Sequence, residues 1–83
     1  MITFDDIWLT FLNNYKVEDI DLPHPERIPE IIQDALMRFN NRMRTKAKCD
    51  FSNECVVGLT SEDDLLLLAH YIKLIQLINS RVH

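Results

Sequence analysis

The sequence predicts an all-α domain: a small bundle of three main helices, with an irregular loop between the second and third. Three observations predict it. Gly58 is the only glycine among 83 residues, which disfavours a turn-rich β fold. Two segments, 3–14 and 28–45, space their apolar residues at helical intervals. A third, Leu65 to Ile78, reads LLLLAHYIKLIQLI and is apolar at eleven of fourteen positions. A chain of this length is one domain, 1–83, with a thin core.

The first helix begins at Thr3, a good N-cap. Asp5 and Asp6 suit the positive helix start, and Phe4, Ile7, Trp8, Phe11 and Leu12 follow on one face. Asn13-Asn14 closes it. Residues 15–28 form an acidic connector, in which Pro23 and Pro25 exclude a continuous helix.

Pro29 belongs in the first turn of the second helix, which is expected to end at Thr45 or Ala47. Ile28, Ile31, Ile32, Ala35, Leu36, Phe39 and Met43 fall within an arc of roughly 140°. Its acids lead and its bases trail, which complements the macrodipole. Residues 46–60 then break the pattern. Asp50, Ser52, Asn53 and Gly58 are turn formers, and Cys55-Val56-Val57 suits a short β segment. A loop this long in a small domain is usually functional or interfacial.

Thr60 or Ser61 caps the third helix, with Asp63 or Asp64 in the capping-box position and an end near Arg81. Only His70, Lys73 and Gln76 interrupt its apolar run, on a stripe that Leu66 and Leu77 share. A helix apolar on nearly every side must be buried on nearly every side. So short a chain has few elements to do that burying. The expected intrachain core is Phe4, Trp8, Phe11, Ile32, Leu36 and Phe39. Leu66, Leu74, Leu77 and Ile78 are candidates for burial between subunits.

The net charge of −4 hides an asymmetry. Residues 1–34 hold eight acids against Lys16 and Arg27, whereas Arg38, Arg42, Arg44, Lys46 and Lys48 occupy 38–48 with no acid among them. Opposite charge in two parts of one sequence suits head-to-tail contact between copies. The same five cations are the candidate contacts for nucleic acid or another anionic partner. A solvated helix end decorated with cations is the plainer reading.

No constellation for catalysis emerges. There is no nucleophile elbow and no glycine-rich phosphate loop, and Glu62, Asp63 and Asp64 read as a helix start. Cys49 and Cys55 are spaced wider than zinc ligands prefer, and His24, His70 and His83 are scattered. No cofactor and no metal are expected, and His70 is expected to edge the core. The N-terminus lacks a basic signal region, and the third apolar run is shorter than the roughly 20 residues of a membrane span. The expectation is a soluble intracellular protein with reduced thiols, no membrane contact and no enzymatic activity.

The second half, about residues 30–82, resembles a family. A helix ending in FNNRMRTKAKCDF, a loop, and then LTSEDDLLLLAHYIKLIQLINSRV are similar to the small head–tail connector (adaptor, or head-completion) proteins of tailed phages infecting Gram-positive bacteria. The matching elements are Phe39 to Asp50, Leu59 to Asp64, and Leu68-Ala69-His70-Tyr71-Ile72. Such connectors often continue into a C-terminal tail that docks on the portal, whereas this sequence stops at His83. The resemblance implies a ring of about a dozen copies below the portal vertex of a virion, assembled in the host cytoplasm. The ring would extend the DNA channel and dock the next neck or tail protein, with the 46–60 loop as an arm. The rival reading is a small homodimeric helical regulator or protein-interaction module. A DNA-binding regulator is a weaker rival.

Overall fold

The computed structural model describes residues 2–15, 22–59 and 61–80. Its elements are β1 (Ile2–Thr3), α1 (Phe4–Asn14), a 3-10 turn (Pro25–Arg27), α2 (Ile28–Met43), β2 (Lys48–Asp50), β3 (Cys55–Val57) and α3 (Glu62–Ser80). The three expected helices are present. The all-α expectation is nevertheless wrong, because three strands form an antiparallel sheet in the order β1-β3-β2. The fold is α+β.

The sheet is built from scraps. β3 is the central strand and pairs Val56 with Ile2 on one side and with Cys49 on the other. Among the described residues no strand exceeds three residues. Each is too short to show an alternating pattern, and β1 and β2 acquire their identity only by pairing with β3. The expected β segment at 55–57 is β3. The expected loop around it is a hairpin closed by Phe51–Glu54. At its tip the Asp50 carboxylate accepts hydrogen bonds from the Asn53 backbone N–H (3.1 Å) and side-chain amide (2.8 Å). Those bonds hold the Asp50 carboxyl below the usual carboxylate range.

Thr3 explains why β1 escapes a reading for helices. An N-cap residue must be extended while its side chain serves the helix. Thr3 has φ −78° and ψ 159°, accepts from the Asp6 N–H at 3.0 Å, and is met by the Asp6 carboxylate in a full capping box. The same extended backbone makes it the last residue of β1, opposite Cys55. The following Phe4 N–H donates to the Glu54 carbonyl at 2.8 Å, fastening the start of α1 to the hairpin.

The sheet therefore gathers the start of α1 and the end of α2 at one end of the molecule, with α3 beginning five residues beyond β3. α3 packs against both other helices, and its inward residues Leu68, Ala69, Ile72 and Ile75 are buried. Of the expected core, Phe4, Phe11, Ile32, Leu36 and Phe39 are buried, while Trp8 is half-buried against it. The sheet adds Val56 and Cys55, both fully buried.

α2 ends at Met43, earlier than expected. Arg44 turns left-handed (φ 57°), which breaks the helix without the glycine that normally marks such a cap. Ser61 caps α3 by accepting from the Asp64 N–H at 3.1 Å. The alternative cap Thr60, the connector residues 16–21, the helix end at Arg81 and His83 lie outside the described residues.

Candidate functional site

Two surfaces stand out, one apolar and one basic. The apolar one is the outward face of α3. Residues three, four and eleven apart share a helix face, which brings Leu66, His70, Leu74, Leu77 and Ile78 together. Leu66, Leu77 and Ile78 are 42%, 46% and 48% exposed, and Leu74 is half-buried. His70 is exposed within this face rather than edging the core, since the core side of α3 is already filled by Leu68, Ala69, Ile72 and Ile75. The three polar interruptions do not act alike. The Lys73 ammonium sits 4.9 Å from the Tyr15 ring centroid and ties α3 to the end of α1. Gln76 is half-buried, with its amide nitrogen enclosed.

The basic surface starts on α2 and continues past it. Arg38 and Arg42 lie one turn apart on the exposed face, and Arg44, Lys46 and Lys48 follow, all exposed. Local structure fixes how they are presented. Asn40 is half-buried, and its side-chain oxygen accepts from the Thr45 hydroxyl (2.8 Å) and the Ala47 N–H (3.2 Å). Its amide donates back to the Ala47 carbonyl (2.8 Å). Ala47 is held from the other side by Gly58. A Cβ on Gly58 would lie 3.1 Å from the Ala47 Cα, and its φ of 101° is itself a conformation that favours glycine. The segment carrying Arg44, Lys46 and Lys48 is therefore held in place as an ordered ridge.

Beside the ridge lies an open cleft lined by Lys46, Lys48, Asp50, Phe51 and Val57, with Cys49, Ser52 and Gly58. Phe51 and Val57 are more than half exposed there, a feature the sequence reading missed. A lone aromatic inside a polar turn was the available signal. The Phe51 ring meets the Phe4 ring edge-on at 5.9 Å. Cys49 and Cys55 are free thiols on neighbouring strands. Burial, and then the nearby Cys55, push the Cys49 thiol up to about 11, so it is a poor nucleophile at neutral pH. Among the described residues no group of three His, Cys, Asp or Glu side chains is placed to hold a metal ion. No helix among them is long and apolar enough to cross a membrane.

No solved structure matches the chain. Across 82 residues the chain is 46% identical to a Bacillus subtilis (strain 168) protein described as SPbeta prophage-derived uncharacterized protein YomZ. That match covers 98% of this chain and 63% of the relative, so the chain spans less than two thirds of the relative's length. The family model described as YomZ prophage protein matches residues 1–83. With both surfaces on a small α+β domain and the family model matched from end to end, the chain belongs to the YomZ prophage protein family.

Proposed function

We propose that the chain is a structural subunit of a phage particle, a head–tail connector or adaptor that works by assembly rather than catalysis. Copies form a ring of about a dozen below the portal, extend the DNA channel, and present a surface to the next neck or tail protein. The observation that carries this reading is the outward face of α3. Leu66, Leu77 and Ile78 remain 42–48% exposed although α3 already packs against both other helices. Burying a leucine or isoleucine side chain is worth about 1.5–3 kcal/mol, so a face of this kind favours a neighbour over water. Membership of a prophage protein family supplies the setting. In a ring the contact is heterologous, so α3 of one copy meets a different surface of the next.

The test is negative-stain microscopy of virions and portal-containing capsids incubated with the labelled protein. A ring of label at the neck is the expected result. Its absence from particles, with a solution dimer near twice the 9.8 kDa chain mass, would instead identify a small homodimeric module. Leu66→Asp together with Ile78→Asp is expected to abolish incorporation while leaving the helical circular dichroism signal intact.

A further inference from the structure

We propose that the end of α2 and the segment leading into β2 form a grip for the phosphate backbone of duplex DNA. Arg38, Arg42, Arg44, Lys46 and Lys48 make the contacts. The inference does not rest on ring formation, because it concerns different residues on different elements.

Stabilisation of the helix end does not account for this set. The macrodipole acts within the last turn of a helix. α2 ends at Met43, which leaves Arg42 in the last turn and Arg44 at the cap. Arg38 lies more than a turn earlier, and Lys46 and Lys48 lie beyond the helix, where that field has faded. Intrachain pairing does not account for it either. All five are exposed, and among the described residues none makes an ion pair with a carboxylate. No acid occurs between Asp34 and Asp50, and the Asp50 carboxylate is turned to Asn53 in the hairpin tip.

The cations are also preorganised. Asn40 and Gly58 hold Ala47 from two sides, so Arg44, Lys46 and Lys48 are presented from a fixed backbone. A fixed donor array loses less conformational entropy on binding than a free arm does. Three of the five are arginines, whose planar fork matches phosphate oxygens. DNA fits better than the acidic surface of a second copy. A duplex offers one negative charge per roughly 3.4 Å of axis on each strand, a continuous row of phosphates that several cations can meet at once. Among the described residues the acids Asp5 and Asp6, Glu30, and Glu62 to Asp64 stand at separate helix starts, with Asp34, Asp50 and Glu54 elsewhere on α2 and the hairpin, so they do not form one row.

The experiment is fluorescence anisotropy of a labelled random-sequence duplex of about 20 base pairs, titrated with the full chain at several salt concentrations. Five phosphate contacts predict a slope of log affinity against log salt of about −4.5, a loss of several hundred-fold between 50 and 200 mM. Arg38→Gln with Arg42→Gln, and separately Lys46→Gln with Lys48→Gln, should each reduce that slope by about two. Arg27→Gln, an exposed cation on the 3-10 turn, should leave it unchanged. No binding at 50 mM salt overturns the proposal. So does an equal loss in Arg27→Gln. Sedimentation showing that the ridge variants alter self-association without altering DNA affinity would assign the ridge to a neighbouring copy instead.

Discussion

α2 and α3 pack against each other and contribute to one core, yet they differ in what they turn outward. The outward side of α2 is mainly polar, with Glu30, Asp34, Arg38, Asn41 and Arg42 exposed beside Met37 and Met43. The outward side of α3 carries Leu66, His70, Leu77 and Ile78 in equivalent exposure. Folding alone demands only an inward apolar face, which both helices have. The second apolar face of α3 exceeds that demand, and the unpaired cations of α2 exceed what a helix end demands. The two surplus features mark the surfaces on which to look for partners.

The sharpest way to break this comparison is a pair of aspartates on α3. Ile72→Asp places a carboxylate on the fully buried side and should cost more than about 4 kcal/mol, enough to unfold a small domain. Leu66→Asp, on the exposed side, should change stability by no more than about 0.5 kcal/mol. Thermal melts followed by circular dichroism separate the two. Comparable unfolding by both would place Leu66 in the monomer's core and remove the distinction.

Gly58→Ala probes the α2 side. The added methyl meets the Ala47 backbone at 3.1 Å while φ stays at 101°, so a loss of about 1–3 kcal/mol is expected in urea unfolding. Asn40→Ala removes the other half of that clamp and should cost about 1–3 kcal/mol by leaving the Ala47 backbone groups without their partner. If the ridge is ordered by this clamp, both variants also weaken duplex binding without removing a charge.

Smaller effects refine the hairpin. Cys49 alkylation at pH 8 should run about ten-fold slower in the folded chain than in urea, because burial raises its thiol to about 11 from the ordinary 9.0 and the stronger nucleophilicity of that thiolate offsets part of its scarcity. The linkage follows the same sign. A raised folded-state value leaves the contribution intact below pH 9 and removes it as pH rises toward 11. A chemical denaturation series across that window, compared with Cys49→Ser, reads the difference.

The parts legible in the sequence are those encoded locally. Thr3 and Asp6 announce the start of α1, Ser61 that of α3, and the apolar arc of α2 names Ile32, Leu36 and Phe39 as core. Of the sheet only β3 was legible, from Cys55-Val56-Val57; β1 and β2 were not, because they are defined by pairing with it and not by any pattern within them. The stop at Arg44 was not legible because a left-handed arginine carries no compositional mark. The inward side of α3 was blurred for a different reason. With leucine or isoleucine on most of its circumference, periodicity cannot single out Leu68 and Ile72 over Leu66 and Leu77. The basic residues were legible as a run, but their fixed presentation depends on Asn40 and Gly58, whose roles appear only in three dimensions.

The pairing of Ile2 with Val56 has a consequence for the order of folding. It joins residues more than fifty positions apart, so its loop must close before any of its hydrogen bonds can form. During synthesis, at about 5–20 residues per second, β1 and α1 are complete roughly 2–8 seconds before β3 is added to receive β1. The opening residues therefore wait as an unpaired edge, and the last strand to be made locks the first.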